Sequence, residues 1–182
     1  MRGNTKGFTL LEALVALLVT ALLLAIAVPA WSNATSAVHA GKARLAMAET
    51  VLDAVRHSAL TATEVVVCSS DDPGATRCSL SVEWTDGWIA FPDINGNRER
   101  DPNEPLLQRR HALEGGARLR STPGRTRLVF QPHGGNAGSN VTFTLCDKRG
   151  VEKAVTLVLA NDGRARSGTP TREAAQACVQ AG

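Results

Sequence analysis

The 182-residue sequence is poor in aromatic side chains, with four Phe, three Trp and no Tyr. So few rings argue against a platform on which successive nucleic-acid bases stack. Close-set cysteine pairs of the C-x2-C type are also missing, which argues against a zinc site. No G-x-S-x-G, H-E-x-x-H or P-loop sequence occurs. We therefore expect no catalytic residues, no metal, no cofactor and no enzymatic activity.

Charged residues are nearly absent from a long stretch close to the N-terminus. From Phe8 to Trp31 the only ionisable side chain is Glu12. About 20 apolar residues, at a rise of ~1.5 Å each, span a ~30 Å hydrocarbon core as one helix. Arg2 and Lys6 precede the stretch and favour the cytoplasmic side for that end. The pattern predicts a single membrane-spanning helix with the rest of the chain on the other side.

A plain membrane anchor does not account for Glu12, because a carboxylate in lipid is costly and usually has a partner. An ordinary secretory signal does not fit either, because such a signal is cut after its apolar region. Here the small residue Gly7 stands before the apolar region. Cleavage at that point would leave the apolar segment on the mature protein.

The hexapeptide GFTLLE at 7–12, followed by an apolar stretch with Pro29, resembles the class III signal of type IV pilins and pseudopilins. The resemblance implies that a prepilin peptidase cleaves after Gly7 and methylates the new amino terminus at Phe8. It also implies that Glu12 pairs with the terminal amine of a neighbouring subunit during assembly. Pairing suits both groups, because burying either charge alone is expensive. The implied location is the inner membrane, with the globular domain in the periplasm and later in a surface pilus beside other major and minor pilins.

An amphipathic helical pattern follows at 36–62, and we expect its apolar side to pack on a sheet. The apolar series comprises Val38, Leu45, Ala48, Leu52, Val55 and Ala59. Short β-like runs follow, separated by pairs such as Asp-Gly, Asn-Gly and Gly-Gly. The candidate strands are 65–68, 80–84, 88–91, 106–110, 118–121, 127–131, 141–146 and 154–160. The predicted class is α+β, a long N-terminal helix docked on an antiparallel sheet.

The segment WTDGWIAF at 84–91, together with 93–97 and 105–107, resembles the GspH/FimT family of minor pilins and pseudopilins. We interpret 84–91 as a hairpin in which Asp86-Gly87 makes the turn while Trp88 and Phe91 fill the core. The resemblance covers most of the chain and implies a pilin fold in four parts. These are a leader peptide at 1–7, a transmembrane or filament-core helix at 8–30, an amphipathic helix at 31–62, and a β domain with a C-terminal tail at 63–182.

Four cysteines, an even number, fit two disulfides in an oxidising compartment. Three pairings are open. We favour Cys68–Cys78, which closes a short loop, and Cys146–Cys178, which ties the tail to a strand.

The resemblance implies one of two functions. GspH-like proteins work at the tip of the type II secretion pseudopilus, whereas FimT-like proteins belong to type IV pili, and some bind DNA for natural transformation. In DNA-binding members a Gly-Arg-x-Arg motif near the C-terminus contacts the nucleic acid, and this chain has Gly163, Arg164 and Arg166 in that pattern. We favour a minor pilin that binds extracellular double-stranded DNA without sequence preference for uptake. The alternative is a structural minor pilin or secretion pseudopilin without DNA binding.

Other basic residues extend the predicted DNA site or form a second one. We add to the first site Lys148, Arg149, Lys153 and Arg172, although nearby acids dilute that charge. A denser cluster between 106 and 133 has six arginines and one acidic residue, Glu114. Strand alternation would place two pairs of these arginines on shared faces. The simpler interpretation is a solvated strand face, and beside it we hold them as a secondary basic patch for DNA or acidic pilins. The secondary patch comprises Arg118, Arg120, Arg125 and Arg127.

The segment 93–104 places oxygen-bearing side chains at alternate positions, with Glu104 twelfth, as a calcium loop does. Its turn glycine, Gly96, stands fourth instead of sixth, and arginines are interleaved. We favour a polar hairpin loop.

Overall fold

A computed structural model describes residues 7–72, 74–133, 135–138, 140–161 and 164–181 of the chain. The chain divides into two compact units, Met1–Thr35 and Ser36–Gly182. One helix, α1 (Leu10–Thr61), contributes its first part to the first unit and its second part to the other. By length and composition α1 contains a segment apolar enough to cross a membrane, and that segment is not buried inside the protein.

The start of α1 has a local chemical cause. The backbone N–H of Glu12 donates to the hydroxyl of Thr9 at 3.3 Å. This is one half of a capping box, in which a Thr before the helix satisfies a free amide three residues later. Thr9 therefore begins the helix two residues after Gly7, the predicted cleavage position.

The described residues of the second unit form eight strands in two antiparallel sheets. The first sheet has the order β3-β2-β1-β5 and the second the order β4-β6-β7-β8. The strands are β1 (Glu64–Ser69), β2 (Gly87–Asp93), β3 (Gln108–His111), β4 (Arg118–Ser121), β5 (Arg127–Phe130), β6 (Val141–Cys146), β7 (Val155–Leu159) and β8 (Ala165–Gly168). A 3-10 turn (Val151–Lys153) precedes β7, and helix α2 (Arg172–Gln180) follows β8.

One hydrophobic core joins α1 to both sheets. Met47 and Val51 of α1 lie in the same cluster as Trp88 of the first sheet and Phe143 of the second. Trp84 meets Phe143 edge to face, with ring centroids 5.1 Å apart. Each large apolar side chain buried in this way contributes roughly 1.5–3 kcal/mol.

The predicted sheet-facing side of α1 is wrong for its strongly apolar leucines and Val38, although Val55 packs against the core. Val38, Leu45 and Leu52 are 56%, 60% and 67% exposed. The buried face consists mainly of small side chains, which let the helix approach the sheets closely. Its members are Ser36, Ala40, Ala43, Met47, Thr50, Val51, Ala54 and Ser58. Two of them anchor the helix by hydrogen bonds, because Thr50 accepts from the Trp88 indole at 3.0 Å and Ser58 donates to a β5 carbonyl at 3.0 Å.

The interpretation of 84–91 is wrong in its strand pairing, because 80–84 is not a strand paired with β2, but it is confirmed in the turn before Gly87 and in the burial of Trp88 and Phe91. Glu83 makes an isolated bridge to Arg120 of β4, and the N–H of Trp84 donates to the carbonyl of Leu119 at 2.8 Å. β2 instead lies between β1 and β3. The segment before Gly87 therefore crosses from the second sheet to the first.

The predicted C-terminal tail is a strand and a helix. β8 pairs with β7, and the hydroxyl of Thr171 caps α2 by accepting from the N–H of Ala174 at 3.2 Å. The structure joins Cys68 to Cys78, and it joins Cys146 of β6 to Cys178 of α2. The second disulfide holds α2 against the second sheet.

Candidate nucleic-acid interface

Two arginines of the Gly-Arg-x-Arg motif lie at the start of β8. Arg164 stands just before the strand and Arg166 lies within it, whereas Gly163 lies outside the described residues. The carbonyl of Arg164 accepts from the N–H of Ala160 at 2.9 Å, and Ala165 stands opposite Leu159 in the ladder. The described part of the motif therefore belongs to the edge strand of the second sheet and to the residue before it.

Arg166 points to the outer face of the second sheet, away from α1. It stands opposite Val158, whereas its neighbour Ser167 contacts Arg44 of α1, with Arg44 Nη1 3.3 Å from the Ser167 hydroxyl. Successive side chains of a strand point to opposite faces. By the same alternation Arg164, at the position before β8, falls on the side of Arg166. Both arginines and all four residues of β8 are exposed.

Arg44 is a basic residue near the candidate site that sequence reasoning missed. It is exposed and lies beside β8, although 123 positions separate it from its partner Ser167. No spacing pattern relates residues so far apart in the chain. The general signal, a cation on the polar side of an amphipathic helix, is too common to identify it.

The structure does not bring Lys148 and Lys153 next to Arg164. They lie in the connection that enters β7 at Val155, whereas the motif lies beyond its other end at Leu159. A strand of this length separates its two ends by roughly 15 Å. Lys148, Lys153 and Arg172 are exposed. Lys148 and Lys153 are therefore distant along β7 from the motif, whereas Arg172 begins α2.

Arg149 of the predicted DNA site forms an ion pair within the protein. Its guanidinium makes two-pronged hydrogen bonds to the carboxylate of Asp147 at 2.7–3.2 Å. Burial opposes ionisation of Asp147, but the hydrogen bonds and charge of Arg149 outweigh that effect and lower its pKa. The ion pair therefore stays formed near neutral pH, and its positive charge is already compensated.

The secondary basic patch is divided between the two sheets. Arg118 and Arg120 alternate with buried residues along β4, so they share one face of the second sheet. Arg127 lies in β5 of the first sheet, and Arg125 lies in the turn between these strands. Two of the four arginines thus share one face of the second sheet, while Arg125 and Arg127 lie in a turn and in the first sheet.

Three of these arginines have partners inside the protein. The pairs are Arg118 with the carbonyl of Val179, Arg120 with the carboxylate of Glu83, and Arg127 with the carbonyl of Arg98. Burial raises the pKa of Glu83, although the charge of Arg120 acts in the opposite direction. The contacts give these three arginines structural roles.

The loop that resembles a calcium site satisfies its carboxylates with backbone amides. Asp93 accepts from the N–H groups of Gly96 and Arg98 at 2.8 and 2.9 Å. Glu104, which is buried, accepts from those of Ile94 and Asp101 at 2.8 and 3.1 Å. Among the residues that the structure describes, no three carboxylate, histidine or cysteine side chains converge in a metal-binding group. The geometry agrees with a self-capped polar loop.

Comparison with known families gives the class of the protein. Residues 49–163 match the family of the type II transport protein GspH, and residues 2–28 match the prokaryotic N-terminal methylation motif. A long N-terminal helix with this motif, followed by an antiparallel β domain, defines a pilin-like protein. Since the first match covers more than half of the chain, the chain belongs to the GspH family.

Solved structures confirm the predicted pilin fold. The type IV minor pilin FimU of Pseudomonas aeruginosa strain PAO1 has a TM-score of 0.54 at 10% identity, over 78% of this chain and 92% of that one. The minor pseudopilin EpsH from the type 2 secretion system of Vibrio cholerae has a TM-score of 0.52 at 12% identity, over 72% and 98%. At these identities the similarity concerns the fold alone. No curated protein sequence matches this chain significantly.

Proposed function

We propose that this chain is a minor type IV pilin whose β8 edge binds extracellular double-stranded DNA for uptake in natural transformation. The observation that carries the proposal is the placement of Arg164 and Arg166 toward one outer face of an exposed edge strand. Side chains two positions apart in a strand are about 7 Å apart. Arg164, just before β8, and Arg166 within it are therefore spaced to meet successive points on a phosphate backbone.

Phosphate recognition fits the chemistry of this surface. Arginine stays charged and donates a planar fork of N–H groups to phosphate oxygens. Such contacts position a protein on DNA without reading base sequence. The scarcity of aromatic residues agrees with binding through phosphates, because it leaves few rings to stack on bases.

Processing and location follow the pilin pattern in this proposal. The prepilin peptidase cleaves after Gly7 and methylates Phe8, and Glu12 then pairs with the amine of a neighbouring pilin. The match to the N-terminal methylation motif and the apolar first part of α1 support these steps. Before cleavage, this helix holds the chain in the inner membrane with its β domain in the periplasm. After cleavage, the chain joins other pilins in the filament.

The DNA site is tested by titrating a short fluorescent duplex with the full chain in non-ionic detergent. Affinity of the unaltered protein falls steeply between about 50 and 200 mM salt. Arg164→Ala with Arg166→Ala weakens binding by at least about tenfold. The same variant lowers the slope of log affinity against log salt by about 1.8, because each phosphate contact contributes about 0.9.

The matched control is Lys148→Ala with Lys153→Ala, which removes the same charge at the other end of β7. It should weaken binding far less than the arginine variant, and circular dichroism checks that both variants fold. Equal losses in the two variants would show a diffuse charge effect and overturn the site. No binding by the unaltered protein would overturn the DNA function itself.

A second candidate function is that of an assembly subunit without DNA binding, in a pilus or a secretion pseudopilus. The exposed apolar series Val38, Leu45 and Leu52 on α1 favours it. Apolar residues at seven-residue spacing form the kind of seam that packs against another helix. We name these three residues the exposed seam. Loss of filament incorporation on altering it, with no DNA binding, would support this alternative.

A further inference from the structure

A groove of about 510 Å³ crosses the outer face of the second sheet beside α2. Side chains of β6 and β7 form its floor, and the segment that enters α2 forms one wall. Threonine is the commonest lining residue. The threonines are Thr122, Thr142, Thr144, Thr156, Thr169 and Thr171.

Two threonines of the floor have hydroxyls without a partner in the protein. Thr144 of β6 and Thr156 of β7 stand directly opposite each other and are only 5% and 4% exposed. Within the part of the chain that the structure describes, neither hydroxyl makes a hydrogen bond, and neither is among the buried side-chain atoms that lack a partner. Both hydroxyls are therefore accessible from the groove. They are able to donate to a ligand that displaces water from the floor.

The groove is continuous with the arginine motif. The row that contains Thr144 and Thr156 ends at Gly168 of β8, and the next row pairs Thr142 and Val158 with Arg166. Opposite residues of neighbouring strands point to the same face. Gly168 leaves the β8 side open, since a Cβ there would lie 3.0 Å from the Thr156 hydroxyl. A ligand held by Arg166 can thus continue over the threonine floor.

The charge around the groove suits an anion at its α2 end. The N-terminal turn of α2 lines the wall, and a helix N-terminus favours negative charge. Arg120 lies at the far wall, paired with Glu83, and Glu173 stands exposed on the rim. An anion in the groove is therefore attracted by the N-terminus of α2, by Arg166 and by the hydroxyl donors. The exposed carboxylate of Glu173 repels it.

We infer that this groove binds the sugar-phosphate backbone of the same DNA, as a continuation of the contact made by Arg164 and Arg166. The inference rests on the proposed DNA function. Thr144 and Thr156 donate to phosphate oxygens, and the methyl groups of the threonines and Val158 contact the deoxyribose. The groove thus sets the direction in which DNA crosses the β domain.

The test replaces both floor threonines by valine, which has the same shape and no hydroxyl. Thr144→Val with Thr156→Val weakens duplex binding about tenfold in the detergent-solubilised full chain. Its melting temperature stays close to that of the unaltered protein, because neither hydroxyl bonds to the protein. Thr61→Val, which removes an exposed hydroxyl of α1 outside the groove, leaves affinity unchanged.

Serine at both positions gives the complementary result. Thr144→Ser with Thr156→Ser keeps the hydroxyls and therefore keeps most of the affinity, which also covers the case in which the valine variant fails to fold. Affinity equal to the unaltered protein in a folded valine variant, alongside a loss in the Arg164 and Arg166 variant, would overturn the groove and leave the proposed function standing. Serine variants as weak as valine variants would also overturn it. If the unaltered chain binds no duplex, both proposals fail.

Discussion

Asp147 shows how a charged residue in a basic-looking segment can serve the fold. Its pKa is lowered because the hydrogen bonds and charge of Arg149 outweigh its burial. A lowered pKa means that the ionised group stabilises the folded state above its unfolded pKa, near 4. This stabilisation is lost as the pH falls through the lower, folded pKa. The pair therefore contributes at neutral pH and disappears in acid.

The prediction is that Asp147→Asn destabilises the protein by about 2–3 kcal/mol at neutral pH, because Arg149 loses a charged, largely buried partner. The difference from the unaltered protein shrinks as the pH drops below about 4 and is lost once the pH has fallen through the lower pKa of folded Asp147. Urea unfolding across this pH range measures both effects. Lys148→Ala, a neighbour without an ion pair in the structure, serves as the control. A difference that stays constant with pH would contradict the role of the ion pair.

Gly87 has a backbone conformation that other residues rarely adopt. Its φ angle is +125°, and a Cβ there would lie 2.3 Å from the carbonyl oxygen of Arg110 on β3. Both the left-handed conformation and the neighbouring strand exclude a side chain. The Asp-Gly pair is a turn signal in the sequence. Gly87 also allows β3 to approach β2.

Gly87→Ala should therefore cost about 3 kcal/mol of stability, through backbone strain and the clash with β3. Gly124 has a φ of +79° with open space around it, so Gly124→Ala should cost only about 1 kcal/mol. Denaturant titration of the two variants separates strain from steric exclusion. Equal losses would mean that the contact with β3 is unimportant.

At the scale of elements, the composition of α1 explains why its hydrophobic pattern does not identify its buried face. Its sheet-facing side carries Ala40, Ala43 and Ala54, with Thr50 and Ser58 bonded to the sheets. Small and hydroxyl-bearing residues fit a close helix–sheet contact but contribute little to a hydrophobic pattern. The strongly apolar residues were expected inside. They lie outside because a filament subunit also needs an apolar surface for its neighbours, as we propose.

The exposed seam gives a prediction at this scale. Leu45→Gln with Leu52→Gln leaves stability within about 0.5 kcal/mol, since both positions are exposed and Gln matches Leu in helix propensity. The same change reduces the amount of this chain found in sheared filaments, because the contact with another helix is lost. Met47→Ala, on the buried face, should instead cost about 2–5 kcal/mol. If the seam variant enters filaments in normal amounts, the exposed seam does not contribute to assembly.

The last two elements could not be predicted because their sequences carry weak signals. β8 reads Ala-Arg-Ser-Gly, without β-branched or aromatic residues, and it forms only by pairing with β7. α2 is nine residues long and would be marginal alone. Its packing on β6 and the bond between Cys178 and Cys146 hold it in place. The candidate site gained its ordered form from these long-range contacts.

Across the whole molecule, local chemistry could be predicted and long-range pairing could not. Thr9 of the hexapeptide at 7–12 carries its own capping signal, and 118–121 and 141–146 alternate in the way strands do, so the helix start and these two strands follow from local sequence. The division into two sheets depends on contacts such as Trp84 with Leu119 and Arg44 with Ser167. The groove combines residues from three strands, their connecting segments and α2. No sequence spacing encodes such a set.

The independence of the second unit is the prediction at the largest scale. Its hydrophobic core and both disulfides lie within Ser36–Gly182, so a fragment of these residues should fold without the membrane segment. We expect cooperative thermal unfolding of the oxidised fragment by circular dichroism. Reduction should lower its stability, because the Cys146–Cys178 bond spans 32 positions and a loop of that size contributes about 4 kcal/mol. A fragment that is soluble yet lacks a cooperative transition would show that the first unit is needed for folding.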